Sequence, residues 1–315
     1  MPSGIEHPPR VASLLAAGTE IACALGFRHA LVGRSHECDW PPGVETLPVL
    51  TEPRIAPDVP SREIDAGVRE RVRDALALYR VDPEALRAAR PDLVITQTQC
   101  DVCAVTPADL ERALVEWVDR RPRIVSLQPS TLVDVLADFR RVAAALGAPG
   151  RGAALTAEFV ARLDRVRACA AGVATRPAVA CIEWIEPLMG AGNWMPELVE
   201  IAGGRLLFGQ AGAHSPVLTW RELAAADPDR LLIVPCGFDL GRTRRELGAL
   251  TELPGWRDLR AVREGRVALA DGVQWFNRSG PRLAETAEIL AEIVHPGEID
   301  FGWRGRAWAP ARTAG

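Results

Sequence analysis

No lysine occurs anywhere in the 315 residues; all 37 basic side chains are arginine. Alanine and glycine are abundant as well, which is the mark of codon bias, so the arginine excess carries no functional weight by itself. Net positive charge is lacking too. The 41 acidic residues leave a net charge of −4, which argues against a nucleic-acid surface. The opening stretch MPSGIEHPPR has no basic segment leading into an apolar core and a small-residue cleavage site. The first apolar run, residues 11–26, is broken by Gly18, Thr19 and Glu20 and is too short to span a bilayer. Membrane insertion is therefore not expected. Seven cysteines, an odd number without an export signal, fit a reducing cytosol better than a disulfide framework. The expected compartment is the cytoplasm, or the periplasm if the true start lies upstream. Neither a Walker-type phosphate loop nor a dinucleotide glycine fingerprint is present. Paired carboxylates set for hydrolysis are not evident either: Glu37, Asp39, Glu183 and Glu186 read equally well as solvated or structural.

What is present is an alternation of buried strands and helices. Near-continuous apolar runs at 10–15, 30–34, 92–96, 123–127, 178–184, 231–235 and 266–270 have the pattern of strands covered on both faces. The segments between them are helical. Asp82 before Pro83 is an N-cap with proline at the first helical position, and Thr219 with Glu222 makes a capping box. The fold class this predicts is α/β with parallel-rich sheets flanked by helices. Two helices in succession, 131–146 and 154–171, interrupt the rhythm and mark a boundary. The expected organisation is an N-terminal lobe over 1–150, a linker helix over 151–173 and a C-terminal lobe with its tail over 174–315. A weak repeat agrees with two similar lobes: LRAARPDLVIT (86–96) parallels LAAADPDRLLIV (223–234).

Candidate functional residues cluster just after strands, where ligands of open α/β sheets bind. His36, Cys38, Cys100 and Cys103 could hold a structural zinc, since thiolates and imidazole suit that ion. His-x-Cys is poor ligand spacing, however, and only one Cys-x-x-Cys occurs. A thioredoxin-like pair, a cysteine nucleophile or a simple pocket lining are the other readings. The aromatic residues Trp40, Trp184, Trp194, Trp275 and Phe276 lie on loops after strands or beside glycines and offer rigid, flat area for a large ligand. Phe238 follows another strand. Arg278 could hold a carboxylate or phosphate, or brace its own loop. Trp117 and Trp256 read as core, and Trp303 and Trp308 as anchors of the C-terminal tail.

Five segments, VASLLAAGTEIACALG, LVGRSHECDWP, PDLVITQTQCDVCAV, EPLMGAGNWMPELVEIAGG and WFNRSGPRLAETAEILAEIVHP, resemble the cobalamin-binding branch of the iron-siderophore/vitamin B12 substrate-binding proteins of ABC transporters. The resemblance covers about residues 10–297. It implies two lobes joined by one rigid helix, with a corrinoid or metal chelate in the cleft between them. It also assigns ligand-binding roles to Gly18, Thr19, His36, Glu37, Cys38 and Trp40, and to Gln97, Gln99 and Cys100. In the second half it assigns them to Trp184, Glu186, Asn193, Trp194, Trp275, Phe276, Asn277 and Arg278. Cys103 and Phe238 join these ligand-binding candidates through their place just after strands. The ligand it implies is cobalamin; an ABC permease is a candidate partner, and a monomer is the expected state. Cobalt accepts imidazole or thiolate as an axial ligand, so the four zinc candidates are equally candidates for that role. The enzyme alternative, a thiol protein that transforms its ligand, predicts turnover that collapses on Cys38→Ser or Cys100→Ser.

Overall fold

The computed structural model describes residues 9–53, 59–73, 79–97 and 121–311. The chain divides into two compact units. The first comprises Met1–Val59, Ala66–Pro129 and Val133–Ala157; the second comprises Pro60–Asp65, Ser130–Leu132 and Glu158–Gly315. The division falls inside a 23-residue helix, Pro149–Ala171.

In the first unit, strands β1 (Val11–Ser13), β2 (Leu31–Arg34), β5 (Leu93–Gln97) and β6 (Arg123–Leu127) form a parallel sheet in the order β2-β1-β5-β6. The chain leaves β1 for one edge and returns to its other side at β5, so the switch in strand order lies between β1 and β5. Strands β3 (Thr51–Pro53) and β4 (Tyr79–Val81) pair separately and antiparallel. Ala12, Leu14, Leu50, Val81, Leu86 and Val94 form the core beneath them.

The second unit is built on β7 (Ala178–Trp184), with β10 (Arg230–Ile233) and β11 (Val267–Ala270) parallel to it in the order β11-β10-β7. Short strands β8 (Met189–Gly190) and β9 (Arg205–Leu206) occupy the other side of β7. The chain passes from β7 to β9 on one side and then to β10 on the other, so here the switch lies between β7 and β10. Strand β12 (Trp308–Pro310) closes the far edge antiparallel to β11. Ile182, Ile185, Leu223, Leu231, Ile233, Trp256 and Leu269 belong to one apolar cluster.

The sequence repeat extends to individual atoms. Helix Pro83–Ala89 ends on Arg90 in the left-handed region (φ 43°), and helix Trp220–Ala226 ends on Asp227 in the same region (φ 40°). Each is followed by Pro-Asp and a buried strand. The Asp92 carboxylate accepts the N–H of Arg10, which leads into β1 (3.0 Å). The Asp229 carboxylate accepts the N–H of Ala178, which begins β7 (2.9 Å). That backbone hydrogen bond, aided by Arg260, holds the Asp229 carboxyl below the usual carboxylate range. The capping box at Thr219 and Glu222 and the N-cap at Asp82 both form as the residues predict.

The tail docks through buried carboxylates. On helix Leu283–Val294, Glu292 accepts the N–H groups of Phe301 (2.6 Å) and Trp303 (2.9 Å) and the indole N–H of Trp308 (2.7 Å). One helical turn away, Glu288 takes Arg162 at 3.2 and 3.0 Å, Arg165 at 3.0 Å and the Trp303 indole at 3.1 Å. Charged groups enter this interior because every one of them is paired. Among the described residues no helix is long and apolar enough to cross a membrane. Trp117 lies outside the described residues.

Candidate functional site

In the second unit the strand-order switch carries a cluster of side chains. Trp184 is the last residue of β7, and Phe238 lies on the loop that follows β10. Their rings meet at 5.3 Å, tilted by 56°. The Arg242 guanidinium stacks over the Phe238 ring at 3.7 Å from its centroid. Phe238 is buried, whereas Trp184 and Arg242 are half-buried. The Trp184 indole N–H is tied to the Glu186 carbonyl (3.0 Å), which fixes the ring. Arg242 was not singled out by its sequence. It stands one helical turn beyond Phe238, on a helix whose N-cap is Asp239, and that i, i+4 spacing is the signal that could have found it.

The loop after β11 packs beside this cluster. Asp271 accepts the N–H groups of Val273 and Gln274 (both 2.9 Å) and so starts a single π turn, Gly272–Phe276. The Gly272 N–H donates to the Phe238 carbonyl (2.9 Å), joining the two loops. Asn277 braces the turn by donating to the Gly272 carbonyl (2.8 Å). Arg278 is buried, and its charge opposes the rise that burial imposes on the Asp271 acid. Trp275 donates to Glu285 (3.0 Å) under the Arg282 guanidinium, so its edge is engaged within the unit.

Two of the expected loop aromatics face inward. Trp194 is buried, with its indole N–H on the Phe276 carbonyl (3.2 Å), and Phe276 is itself buried. They anchor loops to one another. Asn193 adopts the left-handed region (φ 51°), and its backbone exchanges hydrogen bonds with Ala213 (2.7 Å) and Gly212 (3.0 Å). Glu186 is exposed.

Beneath this loop lies Glu183. Its carboxylate accepts the Ser215 hydroxyl (2.6 Å) and the Gly192 N–H, so it clasps segment 209–217 to the end of β7. Burial pushes its carboxyl from 4.5 up to about 7, against those two hydrogen bonds. The folded chain therefore holds a proton that the unfolded chain has released, and the stabilisation present below pH 4.5 is lost as pH rises through about 7. Urea unfolding at ~pH 5 and ~pH 8 should show Glu183→Gln less pH-dependent than the parent. An equal loss of stability in both would refute this assignment.

In the first unit the expected residues separate. Gly18 and Thr19 lie within helix Ala16–Ala24, both buried, rather than on an open loop. A Cβ on Gly18 would sit 2.7 Å from Ile95, so this glycine lets the helix approach β5. Thr19 donates to the Cys38 sulfur (3.0 Å), and Cys38 is 1% exposed. Glu37 accepts the Tyr79 hydroxyl (2.7 Å). Trp40 is exposed, and Gln97 ends β5 half-buried. His36 is half-buried, with Nδ1 2.7 Å from the Thr51 hydroxyl; desolvation holds its imidazole below the usual value, against the pull of Glu37. Gln99, Cys100 and Cys103 lie outside the described residues. Among the described residues no group of three or more His, Cys, Asp or Glu side chains is placed to hold a metal ion.

Two α/β units, each built on a parallel-rich sheet flanked by helices, are the fold of the two-lobe binding proteins. The chain belongs to the periplasmic binding protein family, whose model matches residues 11–273. It is 21% identical over 286 residues to the vitamin B12-binding protein of Pectobacterium carotovorum, covering 90% of this chain and 87% of that one. It resembles the structure of a periplasmic heme-binding protein from Pseudomonas aeruginosa with a TM-score of 0.73 at 22% identity, covering 98% of this chain and all of the other. The periplasmic vitamin B12-binding protein of Vibrio cholerae matches with a TM-score of 0.63 at 19% identity, covering 91% of this chain and 97% of that one.

Proposed function

We propose that the protein binds cobalamin, or a related corrinoid or metal chelate, through the loops that follow its parallel strands. The observation that carries this reading is the Trp184–Phe238–Arg242 cluster at the switch point of the second unit. A tryptophan face beside a guanidinium suits a broad, flat ligand with polar groups at its rim. The kinship with the Pectobacterium vitamin B12-binding protein over most of both chains supports a corrinoid. The Pseudomonas heme-binding neighbour supports the wider class of metal macrocycles. The side-chain carbonyl of Asn277 is a suitable partner for an amide arm of a corrin. Binding does not transform the ligand by catalysis. The partner that family membership suggests is an ABC permease.

Calorimetric titration with hydroxocobalamin, hemin and a ferric hydroxamate siderophore tests this reading. Hydroxocobalamin is expected to bind most tightly, and Trp184→Ala to weaken it about ten- to a hundredfold. Binding of the siderophore alone, or full affinity in Trp184→Ala, would refute it.

A further inference from the structure

His295 follows helix Leu283–Val294 and is 0% exposed, and among the described residues neither of its ring nitrogens has a hydrogen-bond partner. Three helices of the second unit end around this ring. Gly203 lies two residues past helix Met195–Ile201. A Cβ added there would stand 2.6 Å from His295 Nε2 and 3.0 Å from Ala170, near the end of helix Pro149–Ala171. The Arg230 guanidinium is buried as well and donates to the Val294 carbonyl at the same helix end (2.9 Å), so a positive charge is already in place. Glu298, on the turn that follows, attracts a proton to the ring but is itself exposed, where water screens it. The backbone of Ala202 and Gly203 favours the charged ring, as helix carboxyl ends do, and Ala170 brings only a methyl group. Burial outweighs these attractions and holds the imidazole below its usual 6.5.

Helices Met195–Ile201 and Leu283–Val294 pack against each other, and their opposite ends hold the loop after β11. Trp194, which precedes the first, donates its indole N–H to the Phe276 carbonyl (3.2 Å). Thr286, in the first turn of the second, donates to the Trp275 carbonyl (2.5 Å). Along the 12-residue helix His295 stands ~18 Å from that loop. We propose that His295 is an acid-sensitive latch, whose protonation releases the carboxyl ends of these two helices and with them the grip on loop 272–277. The link to a ligand rests on the binding reading above. A proton from solvent reaches the ring only when the helix ends part, and the parted form titrates as an ordinary histidine. Stability is therefore full above pH 6.5 and is lost as pH falls below it. One pH unit below 6.5, parting is about tenfold more frequent than at neutral pH.

Amide hydrogen exchange of the ligand-free protein at pH ~7.5 and ~5.5, corrected for the intrinsic rates, tests the latch. The Gly204 and Ile299 N–H groups donate to the Val199 (2.9 Å) and His295 (3.1 Å) carbonyls. Both should lose about tenfold in protection at the lower pH in the parent. His295→Phe removes the titration and gives up no side-chain hydrogen bond, so its protection should not fall; His295→Gln serves the same purpose if the aromatic replacement does not fold. The Glu183 contribution is common to parent and variant and cancels between them. Equal loss of protection in both overturns the latch, and so does no loss in the parent. The link to the ligand is read from the release of labelled cyanocobalamin into an excess of unlabelled cyanocobalamin. Release should be about tenfold faster at pH ~5.5 in the parent and unchanged in the variant. Loosened amides with unchanged release overturn that link. Absence of binding at either pH overturns the binding reading, while the exchange result still decides the latch.

Discussion

Glu292→Ala is expected to destabilise the second unit by about 3–5 kcal/mol, the largest loss from any single carboxylate described above. The carboxylate is 1% exposed and satisfies three donors: two backbone N–H groups at 2.6 and 2.9 Å and the Trp308 indole at 2.7 Å. Removing it leaves those donors without a partner where water has poor access, and each orphaned donor costs about 1–3 kcal/mol. It also frees the segment that delivers β12 to the edge of the sheet. Glu288→Ala is the informative comparison. Its partner Arg165 is 60% exposed and can turn to water, so a smaller loss of about 1–2 kcal/mol is expected. Urea unfolding followed by tryptophan fluorescence measures both. A Glu292→Ala loss no greater than that of Glu288→Ala would refute the claim that the tail is held chiefly through Glu292.

Gly209→Ala carries the second large effect, on both the fold and binding. Gly209 sits at φ 112°, and an added Cβ would lie 1.9 Å from the Ala191 carbonyl oxygen. Backbone strain and this collision together should cost about 2–4 kcal/mol. The segment 209–217 must then move, at the expense of the Asn193–Ala213 and Gly190–Pro216 hydrogen bonds (2.7 and 2.8 Å) and of the Glu183–Ser215 clasp. Faster amide exchange at Asn193 and Gly190, with weaker ligand binding, is the expected result. Gly255→Ala is the control, because its φ of 80° is also left-handed but the nearest atom to its Cβ is 3.7 Å away. It should cost about 1 kcal/mol and leave binding unchanged. Equal effects in the two variants would show that the close approach at Gly209 does not matter.

The long parallel strands were legible because burial on both faces leaves an unbroken apolar run, as in LLIV at 231–234. Among the described residues the short strands β3, β4, β8, β9 and β12 were not. Thr51-Glu52-Pro53 or Met189-Gly190 have no pattern of their own and are strands only because a partner lies alongside. The long helix begins at Pro149, earlier than expected, because Gly150 and Gly152 read locally as a loop. Proline at a helix start is compatible with the opposite outcome.

At the candidate site, the position of the loops was readable from strand ends, but side-chain direction was not. Trp194 and Phe276 have the same sequence context as Trp184, yet they turn inward, because their indole and carbonyl groups satisfy each other. The Glu183 carboxyl was visible as a residue without a role. What distinguishes it is Ser215, thirty-two positions away, which no local pattern connects to it. The surroundings of His36 were likewise hidden, since Thr51 and Tyr79 reach it from two separate strands.

Equilibrium dialysis of the reduced protein against hydroxocobalamin tests the central claim most directly. Saturable retention of one corrinoid per chain, with a dissociation constant of about 1 μM or lower, is the predicted result. No retention at concentrations up to ~1 mM would contradict a cobalamin-binding role.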